Sequence, residues 1–159
     1  MLPKFHFLYG LLISLILFPL FKWYILIFLV ATVLIDFDHY LIYAVKKKDL
    51  NLENAYIFLK KLEEKQRNPG FKGRYTFFLC LFHTFEFLLI LSIFSFFNKF
   101  LFFIFLGFIF HLSLDIISTK WEFKNKYFFY YLKTLFLTYY LLSRDKETFG
   151  EIKVKLWFI

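Results

Sequence analysis

Cysteine, proline and glycine are scarce in this chain, at one, three and five residues among 159. The single cysteine, Cys80, sits in an apolar run. It excludes a disulfide framework and, as a lone thiol, a thiolate metal site. It reads as a small hydrophobe buried in lipid. With so little glycine and proline, no helix is broken in mid-membrane, as the helices of many transporters are. Histidine is scarce too, with four residues, and the twelve acidic residues are outnumbered by twenty lysines and arginines.

What is abundant is apolar. The chain is 60% hydrophobic with 28 phenylalanines and a mean hydropathy of +0.61. Soluble domains hold roughly 45–50% apolar residues. Four long apolar runs carry the excess: Phe5 to Phe21, Trp23 to Val45, Tyr75 to Phe97 and Phe100 to Ser118. Each has about the length that crosses ~30 Å of hydrocarbon at 1.5 Å per residue. The first is not a cleaved leader, because Phe18-Pro19-Leu20 is no small-residue cleavage site and the next run follows at once. The expected fold is therefore all-α, an integral membrane bundle of about four transmembrane helices arranged as two hairpins.

Between the hairpins lies a polar link, residues 46–74. Leu52, Ala55, Tyr56, Leu59 and Leu62 recur there at helical spacing, which predicts an amphipathic surface helix over Asn51 to Gln66. Asp49 or Asn51 would cap it, and Asn68-Pro69-Gly70 would end it. The bundle and its link occupy residues 1–119. Residues 120–159 form a separate segment in which Tyr127 to Leu142 is an interfacial or fifth helix. The last nine residues, from Glu151, read as a strand or loose tail.

The link holds nine lysines or arginines and the segment after residue 119 holds eight, while only Lys22 and Lys99 fall on the opposite side. By the positive-inside rule both termini and the link are cytoplasmic, in an inner or plasma membrane. The formal charge of +8 is thus a topology signal and a contact for anionic lipid headgroups at residues 46–74, with no nucleic acid implied.

The polar residues inside the apolar runs carry the chemistry. His6, His39, His83 and His111 fall one in each run and none in a loop. Four carboxylates share these runs, Asp36, Asp38, Glu86 and Asp115, each within four positions of a histidine. The spacings Asp36/His39, His83/Glu86 and His111/Asp115 put both members on one helix face. Ionised carboxylates in hydrocarbon cost at least ~2.5–3.5 kcal/mol each, on the order of 10 kcal/mol for four. Shared coordination of a cation is the simplest compensation. Buried ion pairs or a proton path are the competing reading. Asp36 and Asp38 cannot share a face of an ideal helix, so one is expected as ligand and the other as an orienting group or helix cap. His6 has no acidic neighbour and lies close enough to the interface to be solvated. The donors suit Zn, Mn, Fe or Mg, with room for one or two ions.

His6 with Gly10, then Asp36-Phe37-Asp38-His39, then His83-Thr84, then His111-Leu112-Ser113-Leu114-Asp115 followed by Ser118-Thr119, resemble in order the motifs of the membrane-bound metal-dependent hydrolases. That family is often likened to zinc-dependent phospholipase C, which puts zinc first among the metals. The resemblance covers roughly residues 5 to 119. Ile35 stands where the family tends to have proline, and Glu86 has no counterpart in it.

The resemblance implies a metal-dependent hydrolase acting on a phosphoester or lipid-linked substrate at the cytoplasmic face. His6, Asp36, His39, His83, His111 and Asp115 are the expected metal ligands, and either Asp38 or, from its place beside His83 and not from the resemblance, Glu86 is the expected general base or orienting group. The alternatives are a non-catalytic membrane subunit with a structural metal or ion-pair cluster, and a small ion or proton transporter, for which a homodimer would supply enough spans.

Overall fold

The computed structural model describes residues 3–67, 80–122, 128, 131–132, 135–136, 148–149 and 152–153. It is an all-α bundle. Helix α1 spans Pro3–Phe21, α2 Tyr24–Leu34, α3 Phe37–Lys47, α4 Leu52–Arg67, α5 Phe85–Ser95 and α6 Lys99–Glu122. A 3-10 turn, Leu81–His83, precedes α5. Near the C-terminus Thr148–Phe149 pairs antiparallel with Ile152–Lys153. The expected helix over 127–142 falls mostly outside the described residues.

The bundle is inside out relative to a soluble protein. His6, Thr32 and His111 are fully buried, whereas Leu15, Ile16, Leu20 and many other large apolar side chains are exposed. Such a surface suits lipid and not water. Three helical stretches among the described residues are long and apolar enough to cross a membrane: Pro3–Phe21, Tyr24–Lys47 and Lys99–Trp121. The middle one is α2 and α3 together. In the apolar run from Tyr75 to Phe97 the described residues begin at Cys80, and their helical part, α5, has 11 residues, about 16 Å of rise. The 3-10 turn stands before it, with Cys80 and Thr84 extended on either side.

Helix α2 packs against both α1 and α6, and α5 packs on α6. Two glycines set these approaches. A Cβ on Gly10 would lie 2.7 Å from Thr32 Oγ1. One on Gly107 would lie 2.7 Å from both Ala31 Cβ and the Phe28 carbonyl oxygen. Small residues of this kind let membrane helices come close enough to share polar contacts. A core of Ala31, Ile35, Leu88, Phe108, Leu112 and Leu135 fills the space between α2, α5 and α6.

The tight link between α1 and α2 places Lys22 in the left-handed region, φ 50°. Lys48, φ 51°, ends α3 in the same conformation. Past it, the Asn51 side chain accepts hydrogen bonds from the Glu53 and Asn54 amides and caps α4, as the sequence predicts. Asp49 holds the corner. It accepts from the Tyr43 hydroxyl (2.6 Å), the Asn51 amide (2.9 Å) and the Asn54 side chain (2.9 Å). These bonds, Tyr43 first, keep its carboxyl below the usual carboxylate range. Ala55 is buried and Phe58 packs on Tyr43, while Leu52 and Tyr56 of the same helix stay exposed.

Candidate metal centre

On α1 the buried residues are His6, Gly10 and Ser14, four positions apart in an otherwise lipid-facing helix. On α6, Gly107, His111 and Asp115 repeat the same interval, and His111 and Asp115 are buried. Polar and small residues thus line one inner seam on each helix, the reverse of a soluble amphipathic pattern.

Between α2 and α3 the helix tightens at Ile35 and Asp36. The Asp36 amide bonds to the Val33 carbonyl (3.2 Å) and the His39 amide to the Asp36 carbonyl (3.1 Å), both three residues back. This short 3-10 passage changes the rotation of the chain. Asp36 and Asp38, which an ideal helix would hold on different faces, both turn toward the same centre. Asp36 stands at the N-cap position of α3 with no side-chain cap bond, so its carboxylate is left for the cluster.

The third contribution comes from the turn before α5. Cys80 and Thr84 are extended on either side of Leu81–His83. Thr84 Oγ1 accepts from the Phe87 amide and starts α5. The Phe82 amide donates to Asp38 Oδ2 at 3.2 Å, so a buried carboxylate satisfies the irregular backbone. Non-helical backbone at membrane depth is tolerated where it lines a site in this way.

Four donor atoms meet at the centre. His111 Nε2 lies 3.2 Å from Asp115 Oδ2, 3.3 Å from His83 Nε2 and 3.5 Å from Asp36 Oδ1. His83 Nε2 is 3.9 Å from both Asp36 Oδ1 and Asp115 Oδ2. Donors bound tetrahedrally at 2.0–2.1 Å would be about 3.3–3.4 Å apart. The five separations that involve a histidine, 3.2–3.9 Å, bracket that value.

The second nitrogen of each histidine is already engaged. His111 Nδ1 lies 2.7 Å from the Thr32 carbonyl oxygen, which can only accept. His83 Nδ1 lies 3.2 Å from Asp38 Oδ2. With both rings neutral, these acceptors place the protons on Nδ1 and turn both Nε2 lone pairs into the centre. Two such lone pairs 3.3 Å apart beside two carboxylates are relieved by a proton or a metal cation between them.

His6 is drawn into the same assembly. It is fully buried, contrary to the solvated position expected from its place near the interface. Its ring stacks on His111 with centroids 3.7 Å apart. Its Nε2 is 3.2 Å from Asp115 Oδ1, ion-pair distance without hydrogen-bond alignment, and neither ring nitrogen has a hydrogen-bond partner among the described residues. Asp36 Oδ2 and Asp38 Oδ1 are also buried without one among them. Buried polar atoms are rarely left so, and bound cations would satisfy them.

His39 extends the cluster sideways. Its ring lies 4.9 Å from that of His83, and its Nε2 is 3.8 Å from Asp36 Oδ1. Its side chain is 33% exposed, against 12% or less for Asp36, Asp38, His6, His83, His111 and Asp115. His39 is the cluster's opening to the outside.

Cys80 corrects the expectation that its thiol has no part in a metal site. Its Sγ lies 3.1 Å from His39 Nδ1. Asp38, His39, Cys80 and His83 together offer donor atoms that all fall within 4.8 Å of one another. So do His6, Asp36 and His111, and likewise His83, His111 and Asp115. The three sets share members and form one continuous buried cluster able to hold a metal ion.

The structure thus brings together His6, Asp36, Asp38, His39, His83, His111 and Asp115. Glu86 stands in the first turn of α5 and belongs to none of these sets. Its three-residue spacing from His83 does not act as a helical pair, because His83 precedes the helix. Sequence reasoning missed Cys80, three positions before a motif histidine, and the Thr32 carbonyl. The four-residue recurrence His6, Gly10, Ser14 was a readable sign that α1 turns an inner face to the site. No family model, curated protein or solved structure matches the chain.

Proposed function

We propose that the chain is a membrane-embedded metal-dependent hydrolase acting on a phosphoester or lipid-linked substrate, akin to the membrane-bound metal-dependent hydrolases. The observation that carries the metal-dependent part is the approach of His83 Nε2 and His111 Nε2 to 3.3 Å of each other beside the carboxylates of Asp36 and Asp115. The family reading is supported by convergence. His6, Asp36, Asp38, His39, His83, His111 and Asp115, which carry the sequence resemblance from separate parts of the chain, all join one cluster.

His83, His111, Asp36 and Asp115 would hold the cation, with His6 beside them. When bound, a divalent cation such as zinc supplies Lewis acidity, polarising a phosphoryl oxygen and acidifying water. The protein's own groups do the positioning. Asp38 fixes the ring of His83, and the Thr32 carbonyl fixes that of His111, so both nitrogens stay aimed. Asp38 is also the carboxylate placed to take a proton. His39, a third exposed, lies where a substrate would reach the buried donors. Exposed Lys47 and Lys48 at the C-terminal end of α3 and Lys60 and Lys61 on α4 would attract anionic headgroups. With the lysine-rich segments cytoplasmic, substrate would arrive from that side.

Incubation of detergent-purified, zinc- or manganese-loaded protein with labelled phospholipids and soluble phosphoesters tests the reading. Product that disappears in His111→Ala is expected. A metal-loaded protein inert toward every phosphoester class overturns the hydrolase assignment.

The burial of every cluster member except His39 and the partly buried Asp36 favours a second reading, a closed structural metal site in a non-catalytic membrane subunit. Exchange of bound metal against external chelator separates the two. A catalytic site exchanges in the folded protein, and a structural one only on unfolding.

A further inference from the structure

The central donors leave one side of the cluster unexplained. Asp38 is 6% exposed, and its Oδ2 is occupied by the Phe82 amide and His83 Nδ1, but its Oδ1 is buried with no hydrogen-bond partner among the described residues. Next to it stand the Cys80 thiol and His39, 3.1 Å apart. Cys80 is itself buried, on extended backbone at the start of the 3-10 turn that ends in His83. A thiol used only as a hydrophobe needs no charged or polar neighbours.

We infer that Cys80, His39 and Asp38 form a second cation subsite of mixed sulfur, nitrogen and oxygen donors, adjoining the one built on His83, His111, Asp36 and Asp115. This inference rests on the metal-binding part of the proposed function and not on hydrolysis. A tetrahedral sulfur–nitrogen edge around zinc is roughly 3.5 Å, so the His39–Cys80 contact opens by a few tenths of an ångström on binding. The Cys80 S–H bond breaks and a sulfur–metal bond forms. The proton leaves to solvent past His39, the open member of the cluster.

Charge supports two cations over one. With neutral imidazoles, ionised Asp36, Asp38 and Asp115 and a Cys80 thiolate carry four negative charges, which two divalent ions neutralise. A net charge left in so buried a place would be costly. The sulfur donor also sets the preference of this subsite. It selects zinc, cobalt or cadmium over magnesium and manganese, which the oxygen and nitrogen donors alone would not do.

Cobalt(II) titration of chelator-stripped protein in detergent tests the subsite, because Cys80 is the chain's only cysteine and any thiolate signal is its own. The expected result is uptake of two equivalents with visible ligand-field bands and a near-ultraviolet thiolate-to-cobalt charge-transfer band. In Cys80→Ser the charge-transfer band is lost and uptake falls from two equivalents to one, with the ligand-field bands kept. Ligand-field bands without charge transfer in the unaltered protein would overturn the Cys80 subsite and leave the central site standing. Absence of any cobalt uptake overturns both. The unaltered protein's spectrum decides the matter even where the variant fails to fold.

Discussion

The Nε2 atoms of His83 and His111 face each other across 3.3 Å, although the two residues come from a turn and a helix 28 positions apart. Each ring is held by an acceptor on its far side, so the pair is arranged for a cation before one arrives. Nitrogen resonances of histidine-labelled, metal-free protein should show both rings protonated at Nδ1. Zinc should then shift the Nε2 signals and leave Nδ1 bearing its proton. Rings protonated at Nε2 would remove the basis of the site. In the double variant His83→Ala/His111→Ala, elemental analysis should find the central metal gone.

Removal of metal should destabilise the bundle. A ligand that binds only the folded state at a hundred times its dissociation constant adds about 2.7 kcal/mol. Chelator should therefore lower the midpoint of thermal unfolding, and zinc should restore it in the unaltered protein but not in the double histidine variant. An unchanged midpoint would mean that the cluster holds no ion under those conditions.

Gly107 is expected to be intolerant of a side chain. Its Cβ would meet the Phe28 carbonyl and Ala31 Cβ at 2.7 Å, and backbone cannot swing aside as a side chain can. Gly107→Ala should cost about 1–3 kcal/mol, the range for overpacked interiors. It should also weaken metal binding, because pushing α6 from α2 stretches the His111–Thr32 hydrogen bond one turn away. Gly10→Ala, which meets the Thr32 side chain, should be milder in both unfolding and metal titrations.

The α3–α4 corner should be sensitive to acid. Hydrogen bonds from Tyr43, Asn51 and Asn54 lower the Asp49 carboxyl in the folded protein. A depressed folded value means that the stabilisation is fully present above the unfolded value of about 3.9 and is lost as pH falls through the folded one. Amide exchange at the start of α4, corrected for its intrinsic pH dependence, should show protection falling below about pH 4. Asp49→Asn should show weaker protection at neutral pH and no such transition.

Much of this was legible in the sequence because hydrocarbon makes polar residues conspicuous. A histidine in each of four apolar runs, with aspartates at helical spacing, pointed to one cluster, and Asn51 was readable as the cap of α4. The misreadings share a cause, the assumption of unbroken helix. Continuous helix would separate Asp36 from Asp38, pair His83 with Glu86 and bury Cys80 in lipid. The chain departs from helix at residues 35–36 and 80–84, and both departures are driven by contacts between segments far apart in sequence. Local spacing cannot encode them. His6 was underrated for a similar reason, since the carboxylate beside it, Asp115, lies on α6.

The wide spacing of the donors also has a consequence for biosynthesis. His6, Asp36, Asp38 and His39 enter the membrane with the first hairpin, whereas His111 and Asp115 arrive only when the last long helix is made. Until then the early aspartates have no His111 beside them, and the nascent bundle carries their cost in lipid. Under the proposed metal binding, capture of the ion would be a completion step that follows α6, and a chain stalled before α6 would remain metal-poor and exposed to quality control.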